Sequence, residues 1–331
     1  MNHFSFDKQP GRTAIVNGKE HLFFSGYAYL GIQHVPEFNA LVKEGIDKYG
    51  WLFPSSRISN TRLALFEECE ALLSSITKCE DTVLVSSGYT AGRMATQKWA
   101  NSLTNLHPSH PAILRDTCHP SQGYYAVASL DPLTATLADI QMLQDDACKA
   151  LIIDDSHGIG LTGNGAGASG YLQKQPGIDY IFTYSMAKAW GINAGAVSCP
   201  QTLANYYRSL PEYTASTPPS PALLHAFIKG QHLYALQSQK LQQNMQYFQS
   251  LISNIKDISY HEALPIFILP DGINEDTLLK KNIIISSFAY PDPNGKKIQR
   301  VVLTALHTKN DMEYLAENLA PALKGEERKY Q

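Results

Sequence analysis

Short apolar runs alternate with amphipathic stretches along most of the chain. Residues 13–24 predict two short strands, because the Asn17-Gly18 pair between them favours a hairpin turn. Residues 63–75 carry leucines and glutamates at helical spacing, and the apolar residues 82–86 follow as a short strand. Three more short apolar runs are bounded by Gly, Asp or Pro, at residues 150–154, 180–183 and 194–198. This alternation predicts a mostly parallel α/β sheet.

A different pattern begins after Pro221. Residues 223–251 keep apolar positions at helical intervals without an internal proline, which predicts one long helix. Three strand candidates and a closing helix follow, at residues 264–269, 283–287, 300–304 and 311–323. We therefore expect an N-terminal segment that joins the small domain (1–48), a large domain (49–220) and a small α+β domain (221–331).

The composition is that of a globular protein with small-molecule chemistry. A chain of 331 residues with 44% hydrophobic residues can bury a substantial core. The net charge of −3 comes without a long basic run, so no nucleic-acid partner is expected. No stretch of about 18 apolar residues occurs, and no basic segment followed by an apolar one opens the sequence, so neither membrane insertion nor export is expected. Five scattered cysteines without a C-x-x-C pair favour the cytoplasm.

Two polar clusters follow buried strands. Asp154-Asp155-Ser156-His157-Gly158 ends an apolar run, at the sheet edge where α/β proteins bind ligands, although a solvated turn is equally consistent with this motif alone. Ser185 and Lys188 follow the next run, where a lysine is more often a surface residue. A lysine about thirty residues after a carboxylate at a similar strand end is the arrangement that a pyridoxal phosphate (PLP) site needs.

Two further signals are weak alone. Ser87-Gly88-Tyr89 follows the strand at 82–86 and can open a helix whose N-terminal amides accept a phosphate, although an ordinary helix cap reads the same way. His119 is an isolated histidine, a residue that is usually structural or exposed. Both gain weight from the other clusters.

Taken in order, these segments resemble the α-oxoamine synthase family of PLP enzymes. The resemblance runs from about Phe23 to Leu319, and its motifs are Tyr29-Leu-Gly31, Tyr49-Gly50, Ser87-Gly88-Tyr89, His119, Asp154 to Gly158, Ser185 to Lys188, Tyr213 with Ser216 to Pro219, and Arg300 to His307. The resemblance implies the fold-type I PLP-dependent transferase architecture, which is aspartate aminotransferase-like. It also implies a homodimer with the active site at the subunit interface.

The resemblance assigns roles around the cofactor ring. Lys188 would hold PLP as a Schiff base and move the Cα proton of the substrate. Asp154 would keep the pyridine nitrogen protonated, His157 would hydrogen-bond the phenolate oxygen, and His119 would stack on the ring face. At the phosphate, the implied ligands are Ser87, Gly88, Tyr89, Ser185 and, from a second subunit, Ser216.

The implied reaction condenses an α-amino acid with an acyl thioester of coenzyme A or acyl carrier protein. Decarboxylation then yields an α-amino ketone. Two substrate positions depart from the family, because Tyr27 and Phe288 stand where polar side chains are usual, which leaves Arg300 as the expected anchor for the substrate carboxylate. Another fold-type I activity (aminotransferase, aldolase or lyase) and a catalytically degenerate member remain alternatives.

Overall fold

The computed structural model describes residues 4–107, 110, 112, 122–271, 273 and 275–323. Within them the strands are β1 Thr13–Val16, β2 Lys19–Phe24, β3 Asp81–Val85, β4 Leu103–Asn105, β5 Tyr124–Ala128, β6 Leu130–Asp131, β7 Thr136–Leu137, β8 Ala150–Asp154, β9 Asp179–Ser185, β10 Gly195–Cys199, β11 Ser259–Tyr260, β12 Ile266–Ile268, β13 Ile283–Ala289 and β14 Lys297–Val302. The α-helices are α1 Pro36–Tyr49, α2 Ala64–Thr77, α3 Gly88–Gln97, α4 Gln201–Arg208, α5 Pro211–Thr214, α6 Pro221–Lys229, α7 Gln231–Ile252, α8 Glu275–Lys280 and α9 Lys309–Leu323. Among these residues, no helix combines the length and the apolar character needed to cross a lipid bilayer.

The described chain forms two compact units. The first unit takes the residues up to Gly31, the short segment Pro132–Thr136 and the residues from Ala235 onward, and the second unit takes the rest. The predicted boundaries, 48/49 and 220/221, differ from these breaks at 31/32 and 234/235. The reason is that α1 packs against α6, so both helices belong to the second unit.

The sheet of the second unit has the order β3-β10-β9-β8-β5-β4. Strand β10 runs antiparallel to both of its neighbours, and the remaining described strands run parallel to one another. The prediction of a mostly parallel α/β sheet is therefore confirmed. Buried side chains of α3 and α4 cover one face of this sheet, including Met94 and Leu203 against Val83 and Ile152. This packing fixes the start of α3 beside the carboxyl ends of the strands.

The sheet of the first unit has the order β1-β2-β13-β14-β12-β11, and only the pair β2–β13 is parallel among its described strands. Asn17 and Gly18 both have positive φ angles, 50° and 75°, as the predicted hairpin turn requires. Phe248 of α7 packs edge-on against Phe267, with ring centroids 4.9 Å apart. Because β2 pairs with β13, the N-terminal hairpin belongs to the same sheet as the C-terminal strands.

The single long helix predicted over residues 223–251 is wrong, because the chain breaks between α6 and α7 at Gly230. The Gly230 amide closes α6 on the carbonyl of Ala226. A Cβ at this position would lie 2.7 Å from that carbonyl oxygen and 3.2 Å from the ring of Phe38. A side chain at residue 230 would therefore crowd the backbone of α6 itself and, less severely, the Phe38 ring of α1.

Candidate active site

The candidate site lies in the second unit, at the edge where parallel strands end. Asp154 is the last residue of β8 and Ser185 the last of β9, and their strands pair in parallel. Lys188 follows three residues after Ser185, and α3 begins at Gly88, directly after β3 and Ser86-Ser87. The edge of the sheet therefore brings the predicted carboxylate, amine and phosphate-binding segments together, as expected for parallel strands.

The Asp154 carboxylate is buried and held on both oxygens. Its Oδ1 accepts a hydrogen bond from the Ser156 amide at 2.9 Å, and its Oδ2 lies 3.3 Å from His110 Nε2 and 3.5 Å from the Thr183 hydroxyl. Burial by itself raises the pKa of Asp154, but His110, Lys188 and the Ser156 amide together hold this pKa well below its usual range. The carboxylate is therefore an anion in a buried place, suited to a protonated ring nitrogen.

The start of α3 can bind an anion. Ser87 caps the helix by accepting from the Thr90 amide at 3.1 Å, and the first amides of a helix have no partner within the helix. A Cβ at Gly88 would lie 2.5 Å from the Ser185 Cβ, so glycine is needed for this close approach. One turn later, a Cβ at Gly92 would lie 3.8 Å from Asp154 Oδ2. The start of α3 is therefore close to Ser185 at Gly88 and close to Asp154 one turn later, at Gly92.

Hydroxyl groups gather at the phosphate end of the predicted site. The Ser185 amide donates to Ser156 Oγ at 3.0 Å, and the Ala187 amide donates to Ser185 Oγ at 3.3 Å. Ser216 Oγ lies 3.3 Å from Ser86 Oγ of the same chain. Ser216 is therefore adjacent to this end of the site within one chain, whereas the sequence resemblance assigned it to a second subunit.

The remaining predicted cofactor residues differ in how far their side chains are buried. Lys188 is half-buried and near enough to Asp154 to lower the pKa of that carboxyl. His157 is half-buried in the turn after β8. The Tyr89 side chain is 58% exposed, which agrees with a role for its backbone amide alone. His119 lies outside the described residues.

Sequence reasoning missed two residues at this edge. His110 contacts Asp154 although no local pattern singled it out, and Ser156 links Asp154 to Ser185. Ser156 could have been found, since it lies inside the Asp-Asp-Ser-His-Gly motif. Among the residues with described positions, no group of three metal-ligating side chains occurs.

The predicted substrate residues belong to the first unit. The Arg300 guanidinium stacks 5.0 Å above the Phe288 ring, and its Nη1 donates to the Pro132 carbonyl at 2.6 Å. Phe288 also lines a cavity of about 250 Å³ in this unit, whose walls include Phe6 and several aliphatic side chains of β13. Tyr27 is half-exposed. The substrate roles of Tyr27, Phe288 and Arg300 stay predictions.

Curated relatives match this chain over most of its length. An 8-amino-7-oxononanoate synthase of Buchnera aphidicola subsp. Baizongia pistaciae is 27% identical, and the match covers 94% of this chain and 91% of the relative. The enzyme of the same name from Aliivibrio fischeri is also 27% identical, with 92% of this chain and 90% of the relative covered. These names belong to the α-oxoamine synthases, so the predicted resemblance is confirmed.

Solved structures show the same fold. The serine palmitoyltransferase of Sphingomonas wittichii superimposes with a TM-score of 0.82 at 17% identity, covering 97% of this chain and 92% of that one. An 8-amino-7-oxononanoate synthase of Francisella tularensis gives a TM-score of 0.74 at 19% identity, covering 92% and 98%. The predicted fold-type I transferase architecture is thereby confirmed. Residues 130–319, more than half of the chain, match the family model for aminotransferase class I and II, and the protein belongs to this family.

Proposed function

We propose that the protein is a PLP-dependent C-acyltransferase that condenses an amino acid with an acyl thioester and releases carbon dioxide. The observation that carries this proposal is the buried, ionised Asp154 at one sheet edge with Lys188 and the start of α3. A carboxylate, a primary amine and a helix N-terminus flanked by serines match the pyridine nitrogen, the aldehyde and the phosphate of PLP. The donor set therefore fits the cofactor.

Each residue of the site has a defined task. Asp154 would hold a proton on the pyridine nitrogen, and the α3 amides with Ser185 would bind the phosphate. The Lys188 amine would hold the aldehyde carbon before the amino acid binds, and once the substrate amine displaces it, the free Lys188 amine would move the proton at the substrate Cα. His157 would donate to the phenolate oxygen, and the family resemblance assigns the ring face to His119. When bound, PLP supplies the electron sink that stabilises negative charge at Cα.

The names of the relatives define the finer proposal, which is 8-amino-7-oxononanoate synthase of biotin biosynthesis. In 8-amino-7-oxononanoate, the bond that the condensation would form is the one between the oxo carbon and the carbon that bears the amino group. One part is a seven-carbon dicarboxylic acyl group, and the other is the two-carbon amine that alanine leaves after decarboxylation. We propose alanine and this acyl group, carried by coenzyme A or acyl carrier protein, as substrates.

A homodimer is part of the proposal. Three large apolar side chains, Trp51, Leu52 and Ile58, are exposed on the loop after α1, and Tyr89 is exposed on the first turn of α3. Exposed apolar groups favour burial by a partner, and a second copy of the chain is the partner that the family resemblance implies. The four described cysteines are free thiols, which supports a cytoplasmic location.

The test uses the purified full chain with added PLP. We expect a visible absorbance band that borohydride bleaches, with the pyridoxyl adduct on the peptide containing Lys188. Lys188→Ala should lack the adduct. With alanine and the coenzyme A thioester of the dicarboxylic acyl group, we expect free thiol to appear only when both substrates are present. An adduct on another lysine would overturn the site, and amino-acid turnover without thiol release would indicate an aminotransferase or lyase instead.

A further inference from the structure

A second buried carboxylate, Asp155, lies directly after Asp154 and has no role in the proposed chemistry. It is 1% exposed, and successive side chains of an extended chain point to opposite faces. Its Oδ1 accepts a hydrogen bond from the Ser129 hydroxyl at 2.6 Å, and its Oδ2 accepts one from the Ala168 amide at 2.8 Å. Asp155 therefore ties the end of β5 to a segment thirteen residues further along the chain.

The backbone closes tightly around this carboxylate. A Cβ at Gly158 would overlap Asp155 Oδ1, and a Cβ at Gly167 would overlap Oδ2. Gly167 also has a φ of +65°, which L-residues with side chains rarely adopt. Both glycines lie in the loop of residues 156–168. Because this loop approaches both carboxylate oxygens, the Asp155 side chain packs against its backbone. Asp155 is the only Asp or Glu among residues 155–168.

The same residue fixes the start of that loop through its backbone. Its amide donates to the Thr183 carbonyl at 2.8 Å, and its carbonyl accepts from Gly158 and Ile159 at 3.0 and 2.9 Å. His157 lies between these anchored positions, and Ser156 bonds both Asp154 and the Ser185 amide. A shift of the Asp155 side chain would therefore move the residues that face the ring and the phosphate.

We propose that Asp155 is a positioning residue, which sets Ser156 and His157 against Asp154 by closing the 156–168 loop on its carboxylate. This inference rests on the proposed function, since it concerns the orientation of PLP in that site. Supporting groups that hold catalytic residues are needed because a displacement of about 1 Å can lower a rate about a hundredfold.

The test compares Asp155→Asn with Asp179→Asn, which makes the same change at an exposed residue at the start of β9. Three quantities are measured on the PLP-loaded full chain: the PLP dissociation constant, the visible circular dichroism of the bound cofactor, and kcat with KM. For Asp155→Asn we expect an altered visible dichroism and a kcat lowered about tenfold or more, with KM changed less than about threefold. Asp179→Asn should match the wild type in all three.

A second variant guards against misfolding of the first. Ser129→Ala removes one hydrogen bond to Asp155 and leaves the carboxylate in place, so we expect the same change in dichroism with a smaller loss of kcat. If both variants keep the wild-type dichroism and kcat, whatever their melting temperatures, Asp155 is only a structural residue and the inference is wrong. Failure of the wild-type protein to bind PLP would instead refute the proposed function.

Discussion

Replacing Asp155 by asparagine should make the protein more stable above neutral pH while it impairs the site. Asparagine has the shape of aspartate, and its carbonyl oxygen can still accept from the Ala168 amide. Its NH2 group cannot accept the hydrogen bond that the Ser129 hydroxyl donates to the carboxylate, so this anchor of the loop is lost. The variant also never carries a buried charge, and this second difference raises its stability.

The size of the effect follows from the pKa of Asp155. Burial is the largest cause, and the neighbouring Asp154 adds to it, so that the pKa rises from 3.8 to about 7 despite the bonds from Ser129 and Ala168. In the unfolded chain the carboxyl loses its proton near pH 3.8, whereas in the folded chain it keeps the proton until about pH 7. The free energy of unfolding of the wild type should therefore fall as pH rises from about 4 to 7. Above pH 7 this carboxyl should cause no further decrease. About three pKa units at ~1.4 kcal/mol each give a loss of about 4 kcal/mol.

Urea unfolding of the cofactor-free full chain measures this loss. All three tryptophans, Trp51, Trp99 and Trp190, lie in the unit that contains Asp155, so tryptophan fluorescence reports on the right part of the molecule. PLP is left out because a ligand that binds only the folded state adds its own stabilisation. The useful quantity is the free energy of unfolding of Asp155→Asn minus that of the wild type, at several pH values from 4.5 to 8.

We expect this difference to grow in favour of the variant as pH rises, and to level off above about pH 7. Asp179→Asn, which makes the same change at an exposed position, is measured alongside as the matched control. If the curves of Asp155→Asn and the wild type stay parallel, the Asp155 carboxyl is ionised throughout and the reasoning from burial is refuted.

Three further predictions concern other residues. Asp154→Asn should retain PLP but lose about a hundredfold or more in kcat, since a neutral amide cannot hold the ring proton; near-normal turnover in a coupled thiol assay would contradict this role. Arg300→Ala should weaken amino-acid binding about ten- to a hundredfold, the worth of one charge-assisted hydrogen bond, and spectral titration with unchanged dissociation constants would exclude the anchor role. His307 is buried, and mainly for this reason its pKa falls from 6.5 to about 4, so the wild type should lose about 3 kcal/mol relative to His307→Gln as pH drops from about 6.5 to 4; circular dichroism in urea should show no such drop if the ring is solvated.

Local patterns in the sequence were sufficient for most of the elements, whereas the roles of the site residues were predicted from the family resemblance and stay predictions. The Asn17-Gly18 hairpin, the strand ending at Asp154 and the small residues that open α3 each depend on neighbours within a few positions. Such signals can be detected in a sequence because periodicity and turn preferences are properties of short segments. The proximity of Lys188 to Asp154 could also be predicted, since both residues follow strands of one parallel sheet.

Only the tertiary structure decided which distant groups meet. Ser216 bonds Ser86 across 130 positions, and Asp155 closes on Ser129, 26 positions earlier. Gly230, where the helix breaks, lies beside Phe38 of α1, and the approach of His110 to Asp154 follows from no nearby motif. A hydrophobic period shows that a face is buried, but not what covers it, because many partners can bury the same surface. The partners were selected by the packing of the whole unit, and with them the environment that keeps Asp154 charged and Asp155 close to neutral.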